Sequence, residues 1–417
     1  MSVLTDTVET DDEAENPILA PVKEWWDRVR GGDIGSIPAV LGFVVLVVFF
    51  SAAQGDTFAT NANWANLLNQ AAAVIFIAMG LIFVLLLGEI DLSAGFLAGA
   101  AGAVLAVSLT KNGQSWPVAV LLCLGFGLVF GLLMGCLVAL LGIPSFVTTL
   151  AAFLALQGVQ LVIIGAGGTI RISDGTILSL MNSNLSPTQG WVMFAVVVGG
   201  YALLTANRVR VRRAGGLAKV NLFLPVLRVL VLAVVIGLVV WLLNQERAVN
   251  PAFKSLKGVP YIVPITILFV VGLTFVLNRT AFGRHIYAVG GNTEAARRAG
   301  IKVAAIKISC FAISSTMAAI GGILLVSRDN SVSPTTGGSQ TLLFAVGAAV
   351  IGGTSLFGGK GRVLDAVLGG MVIAVIGNGL PLITEKSEVQ FIVTGLVLLL
   401  AASVDAISRR RAAATGR

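Results

Sequence analysis

Histidine and cysteine are scarce in this chain. His285 is the single histidine in 417 residues, and Cys123, Cys136 and Cys310 are the only cysteines, each within an apolar run. A metal centre needs a cluster of such ligands and a disulfide framework needs paired cysteines. No CxxC or Cys/His cluster is present, so the cysteines read as small packing residues. One histidine also leaves nothing from which to assemble a Ser/His/Asp constellation. Charge is thin as well, with 12% charged residues against 56% hydrophobic ones. The one stretch that hints at a phosphate loop, GGTSLFGGKGR at 352–362, has its Lys displaced by one position and Gly361 where Ser or Thr belongs. It therefore excludes a nucleotide site of that kind. No cleavable leader is expected either: the first stretch carries Glu9, Asp11, Asp12, Glu13 and Glu15 in place of a short apolar region with a cleavage site.

What the chain has in abundance is long apolar runs. A bilayer core of ~30 Å takes roughly 20 apolar residues per helix. Runs of about that length fall at 37–53, 70–88, 94–110, 117–141, 145–164, 189–206, 221–243, 261–278, 309–327, 343–356, 363–380 and 389–407. The run at 343–356 is short, as a broken or re-entrant pass would be. The 49 glycines let such helices approach closely. The expectation is an all-α polytopic integral membrane protein of about twelve passes. Residues 1–36 then form a cytoplasmic tail with an amphipathic stretch at Trp25 and Trp26, 37–407 the transmembrane domain, and 408–417 a basic tail.

Charge placement supports that layout. With alternating passes, 20 of the 28 Lys and Arg fall in segments on the N-terminal side, seven on the other side, and Arg228 within a pass. The positive-inside rule then puts both termini in the cytoplasm. The net charge of +8 becomes a matter of topology, and nucleic-acid binding is not expected.

GEIDLSAG at 88–95 places Glu89 and Asp91 between two apolar runs. Two positions apart on a helix, they point to nearly opposite faces, which argues against an acid/base dyad. A helix break at the cytoplasmic side suits them better, with Asp91 or Ser93 capping the next helix. The same pattern echoes as GGTSLFGG at 352–359, a plan that inverted-repeat transporters with broken helices follow.

The longest inside loop, 279–308, holds Glu294-Ala295-Ala296-Arg297-Arg298-Ala299-Gly300. A short helix ending at Gly300 can turn through the left-handed conformation into a second helix and dock on a soluble partner. This E-A-A-x3-G pattern resembles the loop by which permease subunits of ABC importers engage their ATPase, although the I-x-L-P continuation is missing. GEIDLSAG, GIPSFVTTLAAFLALQGV at 142–159, GRHIYAVGGNTEAARRAGI at 283–301 and IGGTSLFGGKGRVLDAVLGG at 351–370 extend the resemblance to the monosaccharide permeases of the ribose, xylose and galactose type. An additional pair at about 189–243, joined by a basic RVRVRRAGG loop, makes the layout most similar to the xylose-type permease. Glu89 departs from the GGIDLS of that family.

The resemblance implies a transport subunit of a bacterial inner membrane rather than an enzyme. It implies no cofactor in this chain, with ATP and Mg bound by a partner ATP-binding subunit. It also implies an extracytoplasmic sugar-binding protein, a homodimer in membrane lipid, and a pentose such as xylose as cargo. Glu294, Ala295, Ala296, Arg297, Arg298 and Gly300 are the ATPase-coupling candidates. Asp91 and Ser93 at the break, and the polar and aromatic residues Phe146, Thr148, Thr149, Gln157 and Asn378 inside passes, are the pathway candidates, with Gln160, Ser314, Ser315, Thr316 and Phe153 also inside passes. Two rival readings remain: an ion-driven secondary transporter using Glu89 and Asp91, and an ABC permease for a non-sugar solute.

Overall fold

In the computed structural model, residues 36–166, 168–214, 222–248 and 255–414 are described. The two Trp of the amphipathic stretch and most of the N-terminal tail lie outside them. The chain is a succession of helices: α1 (Ile37–Phe58), α2 (Asn61–Leu86), α3 (Ala94–Thr110), α4 (Trp116–Ala139), α5 (Ser145–Ile164), a strand β1 (Ile170–Arg171), α6 (Gly175–Asn182), α7 (Pro187–Ala214) and α8 (Phe223–Leu243). Then follow α9 (Ile262–Arg279), α10 (Ala281–Gly291), α11 (Thr293–Arg298), α12 (Val303–Asp329), β2 (Ser331–Val332), α13 (Gly338–Gly352), α14 (Val363–Ile383) and α15 (Ser387–Ala414). Nine of these helices are long and apolar enough to cross a membrane, and α3, α13 and the stretch Ser387–Val397 are shorter apolar segments. Each falls on one of the expected runs. The basic RVRVRRA run is the last part of α7 and not a loop, since the helix continues to Ala214.

The contacts divide the described residues into two units: those within Val192–Val239 and Ser408–Arg417 in one, those within Gly35–Trp191 and Val240–Ile407 in the other. In the first, α7 and α8 meet where the Phe194 ring lies 3.3 Å from the position a Cβ on Gly237 would occupy.

The second unit is built around α12, which packs along α2, α3 and α4. Small residues make these approaches possible. A Cβ on Gly131 of α4 would come 2.6 Å from the Phe311 carbonyl oxygen, and one on Gly135 would come 2.6 Å from the Ile308 Cα. The outward face of the same helix carries exposed Leu121, Leu122, Val129 and Leu133. A glycine face turned inward and a leucine face turned outward is the pattern of a helix packed in lipid, where burying apolar surface gives no preference for the interior.

Two helical hairpins break at the same end of this unit. The helix α2 stops at Gly88 (φ 75°), where the Gly88 N–H donates to Leu85 O at 2.9 Å and the Glu89 N–H to Val84 O at 3.2 Å. The helix α13 stops in the same way at Gly353 (φ 116°), with Gly353 N–H donating to Val350 O and Thr354 N–H to Ala349 O, both at 3.0 Å. Each is a Schellman ending that uses glycine in the left-handed region. The sequence echo therefore has a structural basis, with Gly88 matching Gly353 rather than Gly352. The breaks are adjacent, because Gly359 N–H donates to Leu86 O at 2.9 Å. An inverted pair would put them at opposite ends, so these two hairpins run in the same direction.

Candidate functional site

The end carrying the two breaks also carries the loop between α9 and α12. That loop is two short helices, and the last residues of the expected 279–308 segment form the first turns of α12. Thr280 caps α10 by accepting the Gly283 N–H at 3.1 Å, and Asn292 caps α11 by accepting the Ala295 N–H at 2.9 Å. The helix α11 closes at Gly300 (φ 83°) through Gly300 N–H to Arg297 O at 3.0 Å and Ile301 N–H to Ala296 O at 3.1 Å. The left-handed turn expected there is present. Ala296 is the buried anchor, whereas Glu294, Ala295, Arg297 and Arg298 are exposed. Glu294 and Arg297 form a surface ion pair at 2.9 Å.

The helix α10 is fixed to the second break by the Tyr287 hydroxyl, which donates to Gly361 O at 2.8 Å. Burial first, and the Asp365 carboxylate second, push the Tyr287 phenol above its ordinary pKa, so it stays protonated and able to donate. Asp365 receives the Arg362 N–H at 2.8 Å and the Thr354 hydroxyl at 3.1 Å.

The first break joins everything around it. Glu89 pairs with Lys307 in the first turns of α12. Asp91 is buried, and its Oδ1 accepts the Ser93 N–H at 3.0 Å and the Ser93 hydroxyl at 2.6 Å. Its Oδ2 accepts the Ser314 hydroxyl of α12 at 2.9 Å. Between them, Ile90 N–H donates to Ser145 Oγ at 3.1 Å and Ile90 O accepts the Thr149 hydroxyl at 3.2 Å. Asp91 thus holds the amide just before α3, while Ser93, the N-cap residue, makes no capping bond of its own.

The other pathway candidates separate. Asp91, Ser93 and Thr149 meet at the break. Thr148 donates to Pro144 O of its own helix at 3.2 Å. Phe146 and Gln157 are exposed on α5. Asn378 is at the opposite end, in a reciprocal amide pair with Asn63 at 2.8 and 2.9 Å.

That opposite end holds a cavity of about 410 Å³ between α2, α12, α13 and α14. Gln70, Gln340, Thr341 and Phe344 line it, with Arg328 and Asp329 among its other residues. None of these was singled out from the sequence. The available signal was Gln70 directly before Ala71-Ala72-Ala73, and Gln340-Thr341 directly before Leu342-Leu343-Phe344. Its wall 333–337 is fixed by Gln160, whose amide donates to Ser333 O and Thr336 O, each at 3.0 Å.

Residues 63–402 match the family described as branched-chain amino acid transport system, permease component. This chain belongs to that permease family. The permease is 35% identical to the xylose transport system permease protein of Escherichia coli over 399 residues, 95% of this chain and 98% of that one. It is 33% identical to the xylose transport system permease protein of Haemophilus influenzae over 373 residues, 89% and 96% of the two chains. It is 30% identical to the ribose import permease protein of Escherichia coli over 369 residues, 88% and 92%. No solved structure matches the permease. It is a multi-pass protein of the inner membrane and a transport subunit by family.

Proposed function

We propose that the permease is the membrane-spanning subunit of an ATP-driven importer whose cargo is a pentose of the xylose class. Both the xylose and the ribose relatives are aligned over most of their own length. The observation that carries the reading is local. The exposed helix α11 turns at Gly300 directly into α12, the helix on which α2, α3 and α4 pack. A push on Glu294, Arg297 or Arg298 from a soluble partner reaches the transmembrane helices through one left-handed turn.

In this reading the end bearing α10 and α11 faces the cytoplasm, and a separate ATP-binding subunit seats on it and hydrolyses ATP with Mg. A sugar-binding protein delivers cargo to the opposite end, and two copies of the permease make the pathway. The secondary-transporter alternative fares poorly. An ion-coupling carboxylate needs free lone pairs and a changing partner, yet Glu89 is held by Lys307 and Asp91 by three donors.

The test is xylose uptake into vesicles reconstituted with the permease, its ATPase and its binding protein. Uptake should need ATP and stop when the ATPase is left out. Uptake that continues without the ATPase and collapses with an ionophore sinks the reading.

A further inference from the structure

The cavity between α2, α12, α13 and α14 is lined in part by polar side chains that are left without work. Among the described residues Gln70, Gln340 and Thr341 have no hydrogen-bond partner, although each has donors and acceptors and lines the space. Gln70 and Thr341 are half-buried and Gln340 is exposed; a half-buried polar group without a protein partner costs free energy unless a ligand or water completes it. They come from two helices, Gln70 from α2 and the other two from α13, so they converge on one volume. Phe344, one helical turn from Gln340, adds an aromatic face to the wall. The side toward α14 is formed in part by Gly370, Ala374 and Gly377, which present no bulk to the space.

The volume of about 410 Å³ falls within the roughly 300–1,000 Å³ of small-molecule sites. The chemistry of the lining selects among ligands. Neutral amides and a hydroxyl match a compound with many hydroxyls, each of which both donates and accepts. A ring wall matches the apolar C–H face of a sugar. An amino acid would instead need one unpaired cation and one unpaired carboxylate. The charged lining residues, Arg328 and Asp329, are exposed and lie 3.7 Å apart in an ion pair with each other.

We propose that this cavity is a monosaccharide-binding subsite, in which Gln70, Gln340 and Thr341 hydrogen-bond the sugar hydroxyls and Phe344 covers a ring face. It rests on the importer reading and adds to it the place where cargo first meets the permease. Gln160 is a positioning residue here, since it holds the 333–337 wall through Ser333 O and Thr336 O. The wall is tightly seated: a Cβ on Gly337 would come 2.8 Å from the Gly99 amide nitrogen of α3.

The experiment uses the complete reconstituted importer carrying Gln340→Cys, with Cys136→Ser to remove the native cysteine that is not buried. A membrane-impermeant thiol reagent is applied and the labelling rate is followed with xylose or leucine present. Saturating xylose should slow labelling several-fold and leucine should leave it unchanged. Adding Gln70→Ala should raise the xylose concentration for half-protection roughly 3- to 10-fold, the loss expected for one hydrogen bond. Equal labelling with and without xylose, in a system whose wild type imports xylose, overturns the subsite and leaves the importer reading standing. Protection by leucine alone overturns the ligand class. A wild type that imports no xylose under ATP takes down both.

Discussion

At the scale of single residues, the pair Glu89 and Asp91 resolves into two separate tasks. Asp91 takes three hydrogen bonds within the break and across to Ser314, and Glu89 takes Lys307. The Glu89–Lys307 side chains are only 17–20% exposed. Such a pair lies between surface pairs, worth ~0–1 kcal/mol, and buried ones, whose breaking costs ~3–5 kcal/mol. Glu89→Ala should therefore cost about 1–3 kcal/mol of stability. The swap Glu89→Lys with Lys307→Glu should recover most of that loss in thermal unfolding, and failure of the swap to recover any would remove the pair as the cause. Glu246, in the connection after α8, offers a titration test. Hydrogen bonds from the Ser255 hydroxyl and the Leu256, Ala248 and Arg247 amides hold its pKa down at about 2, from an ordinary 4.5. A depressed carboxylate stabilises above its unfolded pKa and loses that contribution as pH falls through the folded one. The hydrogen-exchange protection factors at Ala248 and Leu256, corrected for the intrinsic pH dependence of exchange, should thus fall between pH 4.5 and about 2, and Glu246→Gln should flatten the response.

At the scale of elements, glycines decide how closely helices approach. A Cβ added at Gly131 would lie 2.6 Å from the Phe311 carbonyl oxygen of α12, whereas one added at Gly125 of the same helix would have nothing within 4 Å. Gly131→Ala should cost about 1–3 kcal/mol through overpacking, and Gly125→Ala should be neutral or slightly stabilising, both read from thermal unfolding in detergent. Equal effects would contradict the close packing of α4 on α12. The passes themselves were legible, because an apolar run near bilayer thickness leaves a chain little alternative to helix. The run at 94–110 gives α3 to the residue, and the run at 363–380 gives α14 short by one turn. The start of α2 was hidden, since Asn61 and Asn63 look like loop residues until Asn378, 315 positions away, pairs with Asn63. Partnerships at that separation leave no local pattern. The Glu89–Lys307 pair and the cavity were invisible for the same reason, and the pathway candidates chosen as polar residues inside passes included some that serve only their own helix, as Thr148 does.

At the scale of the whole molecule, the two ends of the larger unit differ in kind. One gathers two broken hairpins and an exposed helix with Glu294, Arg297 and Arg298, tied together by Tyr287, Glu89 and Asp91. The other opens a polar cavity whose amides lack partners. The first suits the entry of mechanical work and the second the entry of cargo, with α12 contributing residues to both. The most direct check on that division is the number of xylose molecules imported per ATP hydrolysed, in vesicles containing the full importer. The wild type should show a fixed ratio, and Glu294→Arg or Arg298→Glu should lower uptake far more than ATP hydrolysis while leaving xylose protection at Gln340→Cys unchanged. An unaltered ratio in both variants would contradict the proposal that ATP-driven work enters through α11.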